Sequence, residues 1–181
     1  MISRSYSDEG LVLARRNYGE ADRILSLYTQ NHGRISVIAK GIRRLSSKKR
    51  GHLEVFSHLK FQVARGRNLD ILTEAEIINN FSGVRKSLAK ASLAFYFMEV
   101  IGRTTREGEP HREVFDLILK YLQETNRQKN LKTIRLDFIL KLLTVLGFWP
   151  QGKKLLNPDA KLEEVIERSL SSERVGKKML Q

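Results

Sequence analysis

Residues 21–40 read ADRILSLYTQNHGRISVIAK, in which two apolar runs are separated by residues of turn-forming type. The runs extend from Ala21 to Thr29 and from Arg34 to Lys40, and between them stand Gln30, Asn31, His32 and Gly33. Asn and Gly tolerate the positive φ that a tight connection requires. The stretch therefore predicts a β-hairpin, and the N-terminal part of the chain is expected to be built from strands.

Further strands are predicted on both sides of this hairpin. Gly10 to Tyr18 supplies one before it, and a turn around Gly66 to Asn68 leads into another from Leu69 to Ile78. Between the hairpin and this last strand lies an alternating, half-buried strand. Its apolar side is formed by Leu53, Val55, Ser57, Leu59, Phe61 and Val63. Five strands joined by tight turns, with one longer basic link, predict an OB-fold barrel over residues 1–80. An SH3-type barrel would give much the same pattern.

Beyond residue 80 the apolar period lengthens to three or four residues, which is typical of helices. A first helical face carries Leu88, Ala91, Phe95, Met98 and Ile101, and a second, after Pro110, carries Val114, Leu117, Ile118, Tyr121 and Leu122. A third helix is predicted from Leu131 to Leu146 and a last one from Asn157 and Pro158. Residues 81–181 should therefore form a small helical bundle, and the fold class is α+β, an all-β module followed by an all-α module.

The charge balance of the chain points to a polyanionic partner. Lys and Arg number 33 against 20 Asp and Glu, which gives a formal net charge of +13 over 181 residues. With 41% apolar residues the chain can bury a core. Nucleic acid is the expected partner, ahead of an anionic membrane surface.

Several classes of protein are excluded by what the sequence lacks. There are no cysteines, so disulfides and thiolate metal sites cannot form. The longest uncharged stretch, Leu142 to Gly152, is far shorter than the roughly 20 residues that span a bilayer. Charged residues near the N-terminus argue against a secretory signal. A cytoplasmic protein is expected.

The densest charge follows the predicted hairpin. Six basic residues and no acidic one occur between positions 40 and 50, namely Lys40, Arg43, Arg44, Lys48, Lys49 and Arg50. A basic loop beside a barrel face is suited to holding phosphates. We expect Arg34, Arg65 and Arg67, with Lys60, to extend the patch if the barrel closes. The alternative is a solvated loop whose charges only favour solubility.

Aromatic side chains could add base stacking to this patch. The candidates are Tyr18, Tyr28 and Phe56. Phe56 is the preferred one because it faces away from the apolar row of its own predicted strand, beside polar Glu54 and His58. Each of the three could equally be a core residue.

No catalytic or metal site is predicted. His32, His52, His58 and His111 lack the spacing of metal ligands, and the carboxylate pairs Glu20 with Asp22 and Glu74 with Glu76 have no nucleophile or phosphate-binding glycine loop beside them. We therefore expect no enzymatic activity, no metal and no cofactor.

Two stretches of the sequence resemble a known family. The run from Gly19 to Thr29, GEADRILSLYT, and the run from His32 to Arg44, HGRISVIAKGIRR, look like the N-terminal barrel of the bacterial recombination mediator RecO. The stretches FILKLL from Phe138 and LGF from Leu146 resemble the last helix of that family and its Gly-aromatic stop. The resemblance covers residues from about 8 to 150.

The resemblance implies a function. Members of this family bind single- and double-stranded DNA through an OB barrel and anneal complementary strands. They act with RecR and with the acidic, hydrophobic tail of single-stranded-DNA-binding protein to load RecA, in nucleoid-associated recombinational repair. An acidic tail would need a basic and apolar groove, for which Arg135 and Lys141 on the third long helix are candidates; ordinary surface charge is the alternative.

The sequence also departs from the family. Many members follow the Gly-aromatic-x-Pro stop with four zinc-binding cysteines, whereas residues 151–161 contain none. The chain also ends soon after Leu170, so a shortened member without zinc is expected. Two other kinds of protein remain compatible with the net charge and with the periodicity of the apolar residues. They are a general RNA-binding or ribosome-associated OB protein, and an adaptor that docks acidic protein tails.

Overall fold

The computed structural model describes residues 4–44 and 53–167. The strands are β1 (Ser5–Tyr18), β2 (Asp22–Thr29), β3 (Gly33–Ala39), β4 (His58–Ala64) and β5 (Asp70–Asn79). The helices are α1 (Ser82–Arg85), α2 (Leu88–Thr104), α3 (Arg112–Arg127) and α4 (Leu131–Val145), followed by α5 over residues 158–167.

The five strands form a closed barrel in the order β1-β2-β3-β5-β4. All neighbours are antiparallel except β3 and β5, which close the barrel in parallel through Val37 and Asp70. The hairpin of β2 and β3 turns between Thr29 and Gly33, as the sequence predicts. Residues Ala14 to Tyr18 of β1 pair with β2 alone and extend beyond the closed part. The predicted five-stranded OB-type barrel is therefore confirmed.

The predicted strand from Leu53 begins only at His58, and the residues before it form a turn. Ser57 donates its backbone N–H to the Glu54 carbonyl at 3.0 Å, and Phe56 donates to the Val12 carbonyl at 2.8 Å. Phe56 has a φ of +57°, the left-handed conformation. This conformation interrupts the alternation of side chains, so the period-2 pattern does not extend back to Leu53.

The helices after residue 80 are also confirmed, with one correction. The predicted face of α3 is buried except for half-buried Leu117, and α4 buries Ile134, Phe138, Ile139, Leu142 and Leu143. Asn130 caps α4 by accepting the Thr133 N–H at 3.2 Å. On α2 the predicted face is only partly buried, since Met98 and Ile101 are buried whereas Leu88 is 85% and Phe95 51% exposed. The helix also buries Leu93, Ala94, Phe97 and Val100, which the predicted face does not include. It packs against β1, α3 and α4, so more than one face is covered and the apolar period alone does not identify the buried side.

Two apolar clusters form the interior. One fills the barrel and includes Val12, Leu25, Val37 and Leu59. The other joins the helices to the outside of the barrel, because Leu11, Leu13, Tyr28 and Phe56 pack with the helix residues. The Tyr28 hydroxyl also donates to the His111 carbonyl at 3.4 Å, just before α3. The barrel and the helices therefore share an apolar contact surface.

None of the helices in the described ranges has the length and hydropathy needed to cross a membrane.

Candidate nucleic-acid interface

The β1–β2 hairpin reaches beyond the closed part of the barrel and carries the turn that follows β3. Arg43 donates its backbone N–H to the Ala21 carbonyl at 2.9 Å, and its Nη1 lies 3.3 Å from the Gly19 carbonyl oxygen. Gly41 donates to Asp22 Oδ1 at 2.7 Å. We call the surface formed by Arg16, Tyr18, Lys40, Arg43 and Arg44 the hairpin edge.

The hairpin edge combines exposed cations with an exposed aromatic ring. Arg16, Lys40 and Arg44 are exposed, and none of them forms an ion pair with a carboxylate of the described residues. Tyr18 is 52% exposed. By contrast, Arg15 is held at 2.8 Å by Glu54, which also lies 4.0 Å from Arg23. The available positive charge is therefore on the outer side of the hairpin, where a phosphate backbone can reach it.

The rest of the predicted basic run continues from this edge. Lys48, Lys49 and Arg50 lie outside the described residues. The chain on either side of them is anchored, because Ile42 and Leu53 are buried in the barrel cluster. The residues on both sides of this basic run are therefore fixed to the barrel.

The structure does not bring Arg34, Arg65 and Arg67 to the hairpin edge. Arg34 lies near the start of β3, about 20 Å along the strand from Lys40 at the usual rise per residue. Its carbonyl accepts the Gly108 N–H at 2.9 Å, next to the connection between α2 and α3. Arg67 is exposed in the turn between β4 and β5. The predicted single patch is corrected to two separate regions, because β3 runs away from that turn before it reaches Lys40.

Arg65 lies in a different, mixed-charge groove of about 470 Å³ that Tyr6, His32 and Asp70 also line. Tyr6 donates its hydroxyl to Asp70 Oδ2 at 3.1 Å. Burial, together with the Asp70 carboxylate, raises the pKa of Tyr6 to about 12. The buried Asp8 carboxylate accepts from His32 at 2.6 Å. The Asp70 carboxylate in the groove, with buried Asp8 behind His32, makes it a poor site for phosphates.

The prediction that Phe56 stacks on bases is wrong. Its side chain is only 1% exposed and packs edge-on against Phe95, with ring centroids 5.3 Å apart. The left-handed backbone of Phe56 turns the ring into the contact surface between barrel and helices rather than towards solvent. Tyr28 is fully buried as well. Of the three aromatic candidates, Tyr18 is the exposed one.

Lys141, a predicted partner-binding residue, lines a groove of about 650 Å³ on the helical module. Leu140 and Val145 supply apolar surface there, and Lys153 and Lys154 add two further cations. Glu113 contributes one carboxylate at the α3 side of the groove. We call this the lysine groove.

Arg135, the other predicted partner-binding residue, is not in the lysine groove. Its Nη2 donates to Asp159 Oδ2 at 2.9 Å and so ties α4 to α5. That hydrogen bond raises the pKa of Arg135. Six residues along a helix, at about 100° each, separate Arg135 from Lys141 and put them on different faces.

Sequence reasoning did not select Arg16, Lys153 or Lys154. Arg16 follows Arg15 and stands two residues before Tyr18 in a predicted strand, which is a weaker signal than the dense basic run after residue 40. Lys153 and Lys154 follow Pro150 closely, but only folding brings them beside Lys141. Within residues 4–44 and 53–167, no cluster of three histidine or acidic side chains could hold a metal ion.

The fold defines a class of protein: a closed five-stranded barrel of the OB type followed by a helical module. A family model described as Recombination protein O N terminal matches residues 1–81, and one described as Recombination protein O C terminal matches residues 85–163. The chain belongs to the RecO family of DNA repair proteins.

Curated relatives named DNA repair protein RecO agree with these matches. That of Rubrobacter xylanophilus is 39% identical over 147 residues, 81% of this chain and 59% of the relative. That of Pelotomaculum thermopropionicum is 35% identical over 145 residues, 80% of this chain and 56% of the relative. That of Listeria monocytogenes is 28% identical over 146 residues, 81% of this chain and 57% of the relative. The chain thus spans less than three fifths of the length of these relatives.

Proposed function

We propose that this protein is a DNA repair and recombination mediator. It binds single- and double-stranded DNA at the hairpin edge, anneals complementary strands, and assists RecA loading together with RecR and single-stranded-DNA-binding protein. The activity requires no covalent chemistry and no cofactor, and we place it at the nucleoid in the cytoplasm. The observation that carries the proposal is the exposed group of Arg16, Lys40, Arg44 and Tyr18 on an OB-type barrel.

Electrostatics accounts for the proposed annealing. Two single strands repel each other through their phosphates, and a cationic surface neutralises some of this charge while releasing counterions. The exposed Tyr18 ring can stack on a base, which contributes roughly 1–3 kcal/mol where it occurs. Neither contact reads a base edge, so little sequence specificity is expected.

Charge reversal at the hairpin edge tests DNA binding. The variant combines Arg16→Glu, Lys40→Glu and Arg44→Glu, and leaves Arg43 unchanged because it anchors the turn to the hairpin. We expect at least a tenfold loss of affinity for a labelled single strand, and a salt slope smaller by roughly 2, at about 0.7 per phosphate contact. Fluorescence anisotropy across a salt series measures both.

The matched control reverses three cations that already form ion pairs on the helices. Arg103→Glu, Arg112→Glu and Lys120→Glu change the net charge by the same amount at sites paired with Glu99, Asp116 and Glu124. This control variant should keep most of its affinity. Equal losses in both variants would show that only total charge matters and would refute the hairpin-edge site.

An annealing assay tests the mediator activity itself. Two complementary oligonucleotides are coated with single-stranded-DNA-binding protein and mixed with and without the protein at moderate salt. Acceleration supports the mediator proposal. Tighter binding to RNA than to DNA of the same sequence, without acceleration, would support the RNA-binding alternative instead.

The lysine groove supports a contact with an acidic, hydrophobic protein tail. Lys141, Lys153 and Lys154 can pair with carboxylates while Leu140 and Val145 receive an apolar side chain. The variant Lys141→Glu, Lys153→Glu, Lys154→Glu should lose affinity for a labelled peptide with the tail of single-stranded-DNA-binding protein. Tight peptide binding with only millimolar DNA affinity in the wild type would favour the adaptor alternative. Unchanged peptide binding in the variant would refute the groove as the docking site.

A further inference from the structure

The cations of the helical module fall into paired and unpaired groups. Those in ion pairs are Arg103, Arg106, Arg112, Lys120, Arg135 and Lys161. Arg85 donates instead to carbonyl and hydroxyl oxygens. The cations outside any carboxylate pair among described residues are those of the lysine groove and a second set, Lys86, Lys90, Arg127, Lys129 and Lys132. We call this second set the helix-end cluster.

The helix-end cluster gathers at one end of the helical module. The Lys90 ammonium lies 2.6 Å from the Asn126 carbonyl oxygen and so links the start of α2 to the end of α3. Gly83 of α1 packs closely on the Asn126 side chain, since a Cβ there would lie 2.2 Å from Oδ1. Asn130 caps α4 immediately after α3 ends. The ends of four helices therefore meet where these cations stand.

In the part of the chain that the structure describes, no ion pair balances this charge. The first turns of α2 and α4 contain no Asp or Glu. Glu124, near the end of α3, lies 3.8 Å from the Lys120 ammonium instead. Lys86, Arg127, Lys129 and Lys132 are all exposed. Like charges held together in this way repel each other, and a bound polyanion would relieve the repulsion.

The cluster adjoins the turn that precedes β4. Arg85, immediately before Lys86, donates its Nη2 to the Val55 carbonyl at 2.8 Å. Val55 belongs to the turn through which the chain returns from the basic run after Arg44. The hairpin edge and the helix-end cluster are thus two cationic surfaces connected through this turn.

We propose that the helix-end cluster binds the phosphate backbone of a second nucleic-acid strand while the hairpin edge holds the first. The inference rests on the proposed function and assigns it a second site, so that one chain can hold both strands to be annealed. An extended polyanion suits the cluster because its cations are spread over several helix ends, and a single carboxylate could reach few of them.

The test reverses part of the cluster and measures one-strand and two-strand properties separately. Lys86→Glu, Lys129→Glu and Lys132→Glu are combined, whereas Lys90 is kept because it caps α3. The control is the variant of Arg103, Arg112 and Lys120 described above, which removes the same charge. Circular dichroism at 222 nm first checks that both variants are folded.

The readouts are anisotropy of one labelled strand at low occupancy, energy transfer between two differently labelled non-complementary strands, and the annealing rate of uncoated complementary strands. For the cluster variant we expect one-strand affinity within about threefold of wild type, and at least a tenfold loss of both energy transfer and annealing rate. The control variant should retain all three.

Other outcomes separate this inference from the proposed function. A wild type that binds no single strand would overturn both. Normal one-strand binding with normal two-strand transfer in the cluster variant would overturn the second site alone. Loss of affinity for the acidic tail peptide in this variant, with two-strand transfer retained, would assign the cluster to a protein partner instead.

Discussion

At the scale of single residues, Arg85 connects the turn before β4 to the helices. Its Nε donates to the Asn80 carbonyl at 2.7 Å and its Nη2 donates to the Val55 carbonyl and to the Ser57 hydroxyl. The guanidinium also lies 3.8 Å from the Phe56 ring centroid. Replacing Arg85 by Met keeps much of the aliphatic stem but leaves these oxygens without a donor. We expect the free energy of unfolding to fall by about 2–3 kcal/mol in urea titrations.

Arg103→Met is the control for Arg85→Met. Arg103 forms only a surface pair with Glu99 and its side chain is 54% exposed. Its loss should cost less than about 0.5 kcal/mol. Equal effects of the two substitutions would show that the Arg85 contacts do not stabilise the turn.

His58 makes the stability of the fold decrease at low pH. Its ring lies against Phe115 with centroids 5.8 Å apart, and Nε2 is 3.4 Å from Glu9 Oε2. Burial lowers the pKa of His58 below the ordinary 6.5, and the Glu9 carboxylate opposes this only partly. As the pH falls through 6.5 the unfolded chain therefore takes up a proton before the folded one, and stability decreases. His58→Gln should reduce this decrease in thermal unfolding between pH 8 and 5.

His111→Gln provides the comparison, because His111 is exposed. It should leave the pH dependence of the melting temperature close to that of the wild type. A wild-type profile retained in His58→Gln would mean that another group causes the loss at low pH.

At the scale of elements, the turn between β2 and β3 packs closely against the connection between α2 and α3. Gly33 has a φ of +66°, and a Cβ there would lie 2.3 Å from the Glu109 carbonyl oxygen. Gly19, in the β1–β2 turn, has a φ of +55° with nothing within 4 Å of such a Cβ. Gly19→Ala should cost about 1–2 kcal/mol from backbone strain alone, and Gly33→Ala distinctly more. Chemical denaturation measures both, and equal costs would contradict the close packing at Gly33.

How much of an element the sequence predicts depends on how many of its faces are buried. The β2–β3 hairpin and the buried face of α3 can be predicted from the spacing of their apolar residues, because each has one clear apolar side. The face of α2 could not be predicted, since barrel and helices cover it from several directions. The start of β4 was missed because the φ of +57° at Phe56 is not encoded in an apolar pattern.

The candidate site shows the same limits. Lys40 and Arg44 were predictable from local charge density, whereas the meeting of Lys141 with Lys153 depends on tertiary folding. The prediction groups Arg34 with Lys40, although the two lie at opposite ends of one strand and are about 20 Å apart. The prediction that Phe56 stacks on bases extends the side-chain alternation of β4 back into a turn, where the alternation does not hold.

At the scale of the whole molecule, the shared apolar surface bears on how the chain unfolds. Leu11, Leu13, Tyr28 and Phe56 belong to the barrel by sequence but pack in the cluster of the helices. Leu25 is fully buried in the other cluster, which fills the barrel alone. We propose that the chain consists of two modules divided near residue 80, as the sequence predicts. The unfolding of one module is nevertheless coupled to the unfolding of the other.

Trp149 can report this coupling because it is the single tryptophan of the chain and packs against the helical cluster. Leu25→Ala removes barrel core and should cost about 3–5 kcal/mol. If the modules unfold together, the urea midpoint seen by Trp149 fluorescence shifts by the same amount as the midpoint seen by hydrogen exchange in β2 and β3. Leu156→Ala, at an 89% exposed side chain, should move neither midpoint. A Trp149 transition that stays in place while the barrel is destabilised would show that the two modules unfold independently, and that their shared apolar surface contributes too little to couple them.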